Sequence, residues 1–204
     1  VKVRVGYQTG SASPTTISYT PPSIQTVTGP GAHFASTVGG QNVLISGANY
    51  GLVAFRGATI GASYGPTGVE YTATGCHVTT DHNRISCATA AGTGTGHAWI
   101  VRVEGQSSEV TQVATNYAPP IVSHFVGVGS VHALTQGGQA VDVHGHNFGY
   151  DSSKIDWVMY SSDLSAVRAA ERGEEDTLGL DSTFVAASCE IEVQHTVIRC
   201  WTAP

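Results

Sequence analysis

The strongest constraint on the fold is that the chain repeats itself. "YTPPSI" from Tyr19 returns as "YAPPIV" from Tyr117, and "GGQNVLISGANYG" from Gly39 returns as "GGQAVDVHGHNFG" from Gly137, both displaced by 98 positions. The register runs back without a gap to Val3, Arg4 and Val5, which match Val101, Arg102 and Val103. A period this long exceeds the ~20 to 50 residues of solenoid repeats. It is close to a whole domain, so the 204 residues read as two copies of one domain of about 100 residues each.

The two copies are cut out of frame. The first runs from about Pro22 to Pro119 and closes on "GHAWIVRVEGQSSEVTQVATNYAP", a pair of strands. The second begins at Pro120, and its last residues, Cys200 to Pro204, match Cys87 to Ala91. The closing strands instead have their match ahead of the first copy, in residues 1–21. There Val1, Val3 and Val5 alternate with Lys2 and Arg4, the period of a strand with one face meant for a core. Burying each valine is worth about 1.5 kcal/mol or more, and in water such strands present an open, pairing-prone edge.

Three segments are therefore predicted: donor strands at 1–21, a complete domain at 22–119, and an incomplete domain at 120–204 with an insertion at about 151–188. The Pro21-Pro22 and Pro119-Pro120 junctions leave little slack for folding back. The expected solution is that residues 1–21 of one molecule complete residues 120–204 of the next, with Val1, Val3, Val5, Ile17 and Tyr19 carrying the contact. Such strand addition is head to tail and need not close, so it builds filaments. The rival expectation is a window of a longer tandem array. Against it, the "GTGTGHA" loop at 92–98 has no counterpart between Pro204 and Val1, where a continuous chain needs a connection.

Composition narrows the class. Charged residues are 12% and glycine reaches 25 of 204, against norms of roughly 25% and 7%. With abundant Ser, Thr and β-branched residues, this predicts an all-β chain from outside the cell. A formal charge of -6 with only nine Lys and Arg argues against nucleic acid, which needs a clustered basic face. No apolar run approaches the ~18 to 20 residues of a membrane helix, and no signal segment is present, which reads as a processed mature chain.

The cysteines fall as Cys76 and Cys87, then Cys189 and Cys200, each pair eleven positions apart and flanking strand-like residues with a polar turn. That pattern reads as one hairpin-closing disulfide per domain, worth roughly 2 to 3 kcal/mol. Zinc is the competing reading, though CxxC spacing is missing. The cysteine pairs are displaced by 113, which places 15 extra residues in the second copy between Gly149 and Cys189. Together, "PPSI", "GGQNVLISGANYG", "ISCAT" and "VRVEG" with "NYAPP" resemble the IPT/TIG immunoglobulin-like domain of plexin-type receptors, some transcription factors and cell-surface arrays. The matching element is Gly39, Gly40, Gly47, Asn49 and Gly51, and again Gly137, Gly138, Gly145, Asn147 and Gly149. The resemblance implies two tandem sandwiches of the seven-stranded type serving as spacer or adhesive modules, with no active site.

Candidate chemistry is sparse. Asp142, His144 and His146 alternate along one strand and so share a face, a weak metal candidate set against a plain polar outer face opposite Val141 and Val143. "GTGTG" from Gly92 lacks the Lys-Ser/Thr of a phosphate loop, and no serine has a triad setting, so neither a cofactor nor an enzyme is expected. The insertion carries helix signals, with Ser162 as N-cap, Leu164, Val167 and Ala170 on one side and Gly173 as stop. Its acidic cluster, Glu171, Glu174, Glu175 and Asp176, suits a contact that sets the angle between subunits. Dense Ser, Thr and Pro make Thr15, Thr16, Ser18, Thr20, Pro21 and Pro22 candidates for O-linked glycans, while no N-x-Ser/Thr sequon occurs.

The expectation is a secreted or cell-surface structural subunit whose partners are identical copies, with no nucleic acid and no membrane insertion. The alternatives are a segment of a larger tandem receptor or adhesin, and a carbohydrate-binding module using Tyr50, Tyr64 and Trp157 as exposed aromatics.

Overall fold

The computed structural model describes residues 1–54, 59–161 and 183–204. It is all-β: regular structure among those residues is antiparallel strand, apart from a single 3-10 turn at Ser152–Lys154. The leading segment holds β1 (Arg4–Val5) and β2 (Gln8–Thr9). The front sandwich comprises β3 (Ser23–Thr28), β4 (Asn42–Ala48), β5 (Ile60–Gly65), β6 (Tyr71–Thr80), β7 (Arg84–Ala88), β8 (Ala98–Val103) and β9 (Gln106–Ser107). The rear one comprises β10 (Ile121–Val126), β11 (Ala140–His146), β12 (Met159–Ser161), β13 (Thr183–Val185), β14 (Ser188–Val193) and β15 (Val197–Trp201). The expected helix from Ser162 and the acidic cluster lie outside the described residues.

In the front sandwich the strands follow the order β3-β4-β7-β6-β5-β8-β9. β6 serves both layers: Tyr71 to Ala73 pair with β5, and Thr74 to Thr80 pair with β7. Within the β7 pairing, just past the changeover, the register shifts between Thr74 and His77, where Gly75 has a φ of +62° that is open to glycine. This bend folds the ribbon onto itself, so that β3 meets β8 although they are far apart in strand order. The inner faces then merge into one core: Val27, Val43, Ile45, Ile85 and Cys87 from one layer, Ala62, Tyr64, Ala73, Trp99 and Val101 from the other.

The rear copy rebuilds half of this arrangement residue for residue. Ile121↔His146 and Ser23↔Ala48 are equivalent pairs, and both first hairpins carry a register shift at the same place, Val122/His124 and Ile24/Thr26. Its strands form β10-β11-β15-β14 and, separately, β12-β13. Disulfides Cys76–Cys87 and Cys189–Cys200 join β6 to β7 and β14 to β15, with Cα atoms 4.2 and 4.1 Å apart. Among the described residues its buried core is only Val143, Phe148, Ile198 and Cys200.

The structure refines where the second copy differs. Tyr160 pairs with Phe184 as Tyr64 pairs with Tyr71, and the Tyr160 hydroxyl accepts from Ala203 N–H as that of Tyr64 accepts from Ala90, each at 2.8 Å. Tyr64 and Tyr160 are displaced by 96, Tyr71 and Phe184 by 113. The 15 extra residues thus resolve into two fewer before β12 and 17 more after it.

Candidate functional site

The leading segment carries a hairpin that matches β8–β9 position by position. Arg4↔Thr9 and Val5↔Gln8 reproduce Arg102↔Ser107 and Val103↔Gln106 at a displacement of 98. Both turns place two consecutive residues at positive φ, Gly6 (+53°) with Tyr7 (+65°) and Glu104 (+45°) with Gly105 (+82°), the geometry that matches strand twist in a two-residue hairpin. The match continues past the turn. Gly10 N–H bonds Val3 O at 3.0 Å and Ser13 N–H bonds Val1 O at 2.7 Å, as Ser108 does with Val101 O and Thr111 with Trp99 O.

The surroundings of the two hairpins are opposite. Trp99 and Val101 are fully buried, and Tyr117 is 3% exposed. Their counterparts Val1, Val3 and Tyr19 are 61%, 60% and 88% exposed, and Val5 and Ile17 are also exposed. All of residues 1–21 lie open to solvent, and Pro22 is the first buried position. Of the five residues predicted to form a contact, Val5 lies in β1 and Val1 and Val3 bond the returning chain through their carbonyls, whereas Ile17 and Tyr19 lie outside any strand; none of the five meets a core within this chain.

What the front hairpin covers defines the acceptor. The Tyr64 ring stacks on Trp99 with centroids 4.2 Å apart and planes 13° off parallel. Its hydroxyl meets Tyr117 Oη at 2.6 Å, and Tyr117 Oη donates to Ala90 O. Burial pushes both phenols above the ordinary tyrosine range. In the rear domain Tyr160 keeps its stack on Phe184, at 5.6 Å, while the positions equivalent to Trp99 and Tyr117 are those of Val1 and Tyr19.

Across the sandwich the effect recurs. Val27, on the strand that faces β8, is 3% exposed, whereas its equivalent Phe125 is 59% exposed, as is Val122. Phe184 is 44% exposed. Tyr160, Phe184, Phe125 and Val122 occupy the positions of Tyr64, Tyr71, Val27 and Ile24, which line the front core, and these apolar positions are the trough of the rear domain, beside a small core against which Val158 and Ile191 pack. Among the described residues no strand pairs with β12 on the side where β8 pairs with β5.

The other predicted residues scatter. Asp142 is held by Arg199, with Nε to Oδ1 at 2.8 Å and a second bond to Oδ2, and that guanidinium keeps its carboxyl below the usual range. His144 stacks on His124 across the β10–β11 pair at 4.6 Å, so the face carrying Asp142, His144 and His146 is a partly solvated polar surface. Two of the three aromatics expected to be exposed are a correction: Tyr50 and Tyr64 are 0% and 1% exposed. Tyr50 is buried because its hydroxyl donates to Ser23 O beneath the first hairpin. Only Trp157, 58% exposed, stands in solvent, and one ring makes no sugar-stacking platform. Of the glycosylation candidates, Thr15, Thr16, Ser18, Thr20 and Pro21 are open to solvent, whereas Pro22 is buried.

The trough was not read from the sequence. Val122 and Phe125 are three positions apart on β10, so strict alternation would put them on opposite faces, and only the register shift at Val122/His124 turns both inward; Tyr160 and Phe184 flank the long insertion, which hides their match to Tyr64 and Tyr71. The "TGVEY" before Tyr71 and the "DSTF" before Phe184 share too little to align by eye.

The disulfides place the chain in an oxidising compartment, consistent with an extracellular or surface location. No helix among the described residues is long and apolar enough to cross a membrane. No family model matches the sequence, and no curated protein does. Among solved structures the chain is similar to the full extracellular region of plexin A4, domains 1 to 10, at 14% identity and a TM-score of 0.33, over 87% of this chain and 13% of that one.

Proposed function

We propose that this chain is a structural subunit of an extracellular or cell-surface filament, built of IPT/TIG-type sandwiches, in which residues 1–21 of one copy complete the rear domain of the next. The observation that carries the reading is the match between a preformed, solvent-exposed hairpin and a trough over which no such hairpin lies among the described residues. Val1 would lie over Tyr160 as Trp99 lies over Tyr64, and the Tyr19 hydroxyl would meet that of Tyr160 as Tyr117 meets Tyr64. Volumes support the fit: the small Val1 replaces Trp99 where the large Phe125 replaces Val27 on the facing strand. Strand addition supplies main-chain hydrogen bonds along β12, and alternate side chains supply specificity.

The same period leaves the opposite face of the segment outward. Thr16, Ser18 and Thr20 alternate with Ile17 and Tyr19, so glycans on them would project from the joint without entering it. An intact mass equal to that of the bare chain rules the glycans out.

One observation favours the second reading, a segment of a larger surface receptor or adhesin. Asn49 Nδ2 donates to Pro21 O at 2.9 Å, as Asn147 does to Pro119 O at 3.2 Å, so the segment ahead of the front domain approaches it as one covalently joined domain approaches the next. Electron microscopy of the purified chain separates the two. Fibres that form with residues 1–21 and are absent without them support the filament; monomers in both cases support the receptor segment.

A further inference from the structure

The contact between the two domains of one chain is built from parts that occur twice. On the rear domain, His195 sits at the β14–β15 turn with φ +66°, its N–H bonded to Gly149 O and its carbonyl accepting from Phe148 N–H. Its Nδ1 meets Thr37 Oγ1 of the front domain at 3.0 Å, and Thr93 of the front domain packs its methyl against Gly149. This seat leaves Thr37 1% exposed.

The docking turn and the threonine loop of the joint each recur at the outer ends of the chain, while Thr93 has no match in the second copy. His82 occupies the matching turn of the front domain with φ +62°, its N–H bonded to Gly51 O and its carbonyl accepting from Tyr50 N–H. Thr135 occupies the matching loop of the rear domain. Gly137 N–H bonds Leu134 O and Gly138 N–H bonds Thr202 O, as Gly39 and Gly40 do with Ser36 O and Thr89 O. Gln139 Oε1 accepts from Leu134 N–H as Gln41 Oε1 does from Ser36 N–H. His82 and Thr135 are both exposed.

We infer that the joint between copies repeats the joint within a copy, with His82 of one molecule bonded to Thr135 of the molecule whose rear domain receives its hairpin. This rests on the filament reading. It adds that successive domains, within and between chains, meet at one angle, so the strand insertion and the domain seat reinforce each other. The partner is a second copy of this chain, because the receiving loop and the docking turn are matched to each other by the existing Thr37–His195 contact.

The test is site-directed crosslinking of the full chain, whose four native cysteines are already paired. The double variant Thr135→Cys with His82→Cys, treated with a short bismaleimide, is expected to give a ladder of covalent oligomers on a denaturing gel. Thr37→Cys with His195→Cys is expected to close within one chain and give a compact monomer band. Because cysteine at φ +62° strains the His82 turn, Thr135→Val provides a second measurement, with assembly expected to need about fivefold more protein for the loss of one hydrogen bond. Assembly without a ladder, and with no shift for Thr135→Val, overturns this joint and leaves the filament standing. Absence of assembly in the unaltered chain overturns both.

Discussion

The front and rear domains share a plan and differ, among the described residues, in one hairpin, and that difference is written into their cores. Ile45 and its equivalent Val143 are buried in both, as are Ile85 and Ile198, because they lie between strands each copy possesses. Val27 is buried while Phe125 is not, because only the front copy has β8 opposite. The last strand pair therefore supplies both sheet continuity, through β5, and a lid over the inner face of the first strand. Phe125, Val122 and Phe184 are left open to solvent, and contiguous exposed apolar side chains mark contact sites.

The largest expected effect breaks the front lid. Trp99→Ala removes the ring stacked on Tyr64 and the Nε1 bond to Thr115, at a cost of about 3 to 5 kcal/mol, and should convert the front domain into the less stable of the two. Separate thermal transitions for the two domains, followed by calorimetry, would register the inversion. The next effect sharpens the comparison at equivalent positions. Val27→Ala should destabilise the front domain by about 2 kcal/mol, whereas Phe125→Ala should cost the free rear domain under about 1 kcal/mol, since its ring is already in water. With a peptide of residues 1–21 present, the Phe125→Ala cost should rise to about 3 kcal/mol.

A third prediction concerns acid. His97 is 2% exposed and is enclosed by the rings of Tyr64, Tyr71 and Tyr117, with the backbone of Thr93 and Gly94 and the Glu70 carboxylate nearby. Burial holds its proton affinity below the ordinary histidine value. In the unfolded chain it takes up a proton near pH 6.5, so below that pH the unfolded state binds more protons and the front domain loses stability. Denaturant midpoints of the front domain should fall from pH 7 to pH 5, and His97→Phe should flatten that slope. The smallest effect is in the rear domain: Asp142→Asn breaks a two-bond pair with Arg199 that is partly exposed, so its cost at neutral pH should stay below about 1 kcal/mol.

Much of this plan was legible because a repeat makes each copy a template for the other. The β4 and β11 strands, the paired cysteines and the strand period of Val1, Val3 and Val5 all follow from spacing. The aromatics were misread because Tyr50 lies in a Gly-rich stretch that suggests a surface loop; the apolar Phe148 at the matching position was the available sign that the site is core. The second closing strand was also less regular than its composition implied. After Ser107 the chain bonds β8 through a mixture of backbone and side-chain groups: Ser108 and Thr111 N–H bond Val101 O and Trp99 O, while their hydroxyls accept from Val101 and Trp99 N–H in place of backbone carbonyls, which a propensity pattern cannot distinguish from a ladder.

The most direct measurement is hydrogen exchange on a chain lacking residues 1–21, with and without a synthetic peptide of that sequence. Saturable one-to-one binding is predicted, with new protection at Met159 and Tyr160 of β12 and along Val122 to Phe125 of β10, and with the front domain unchanged. A rear domain that keeps its fold and gains no protection at any peptide concentration would contradict the account.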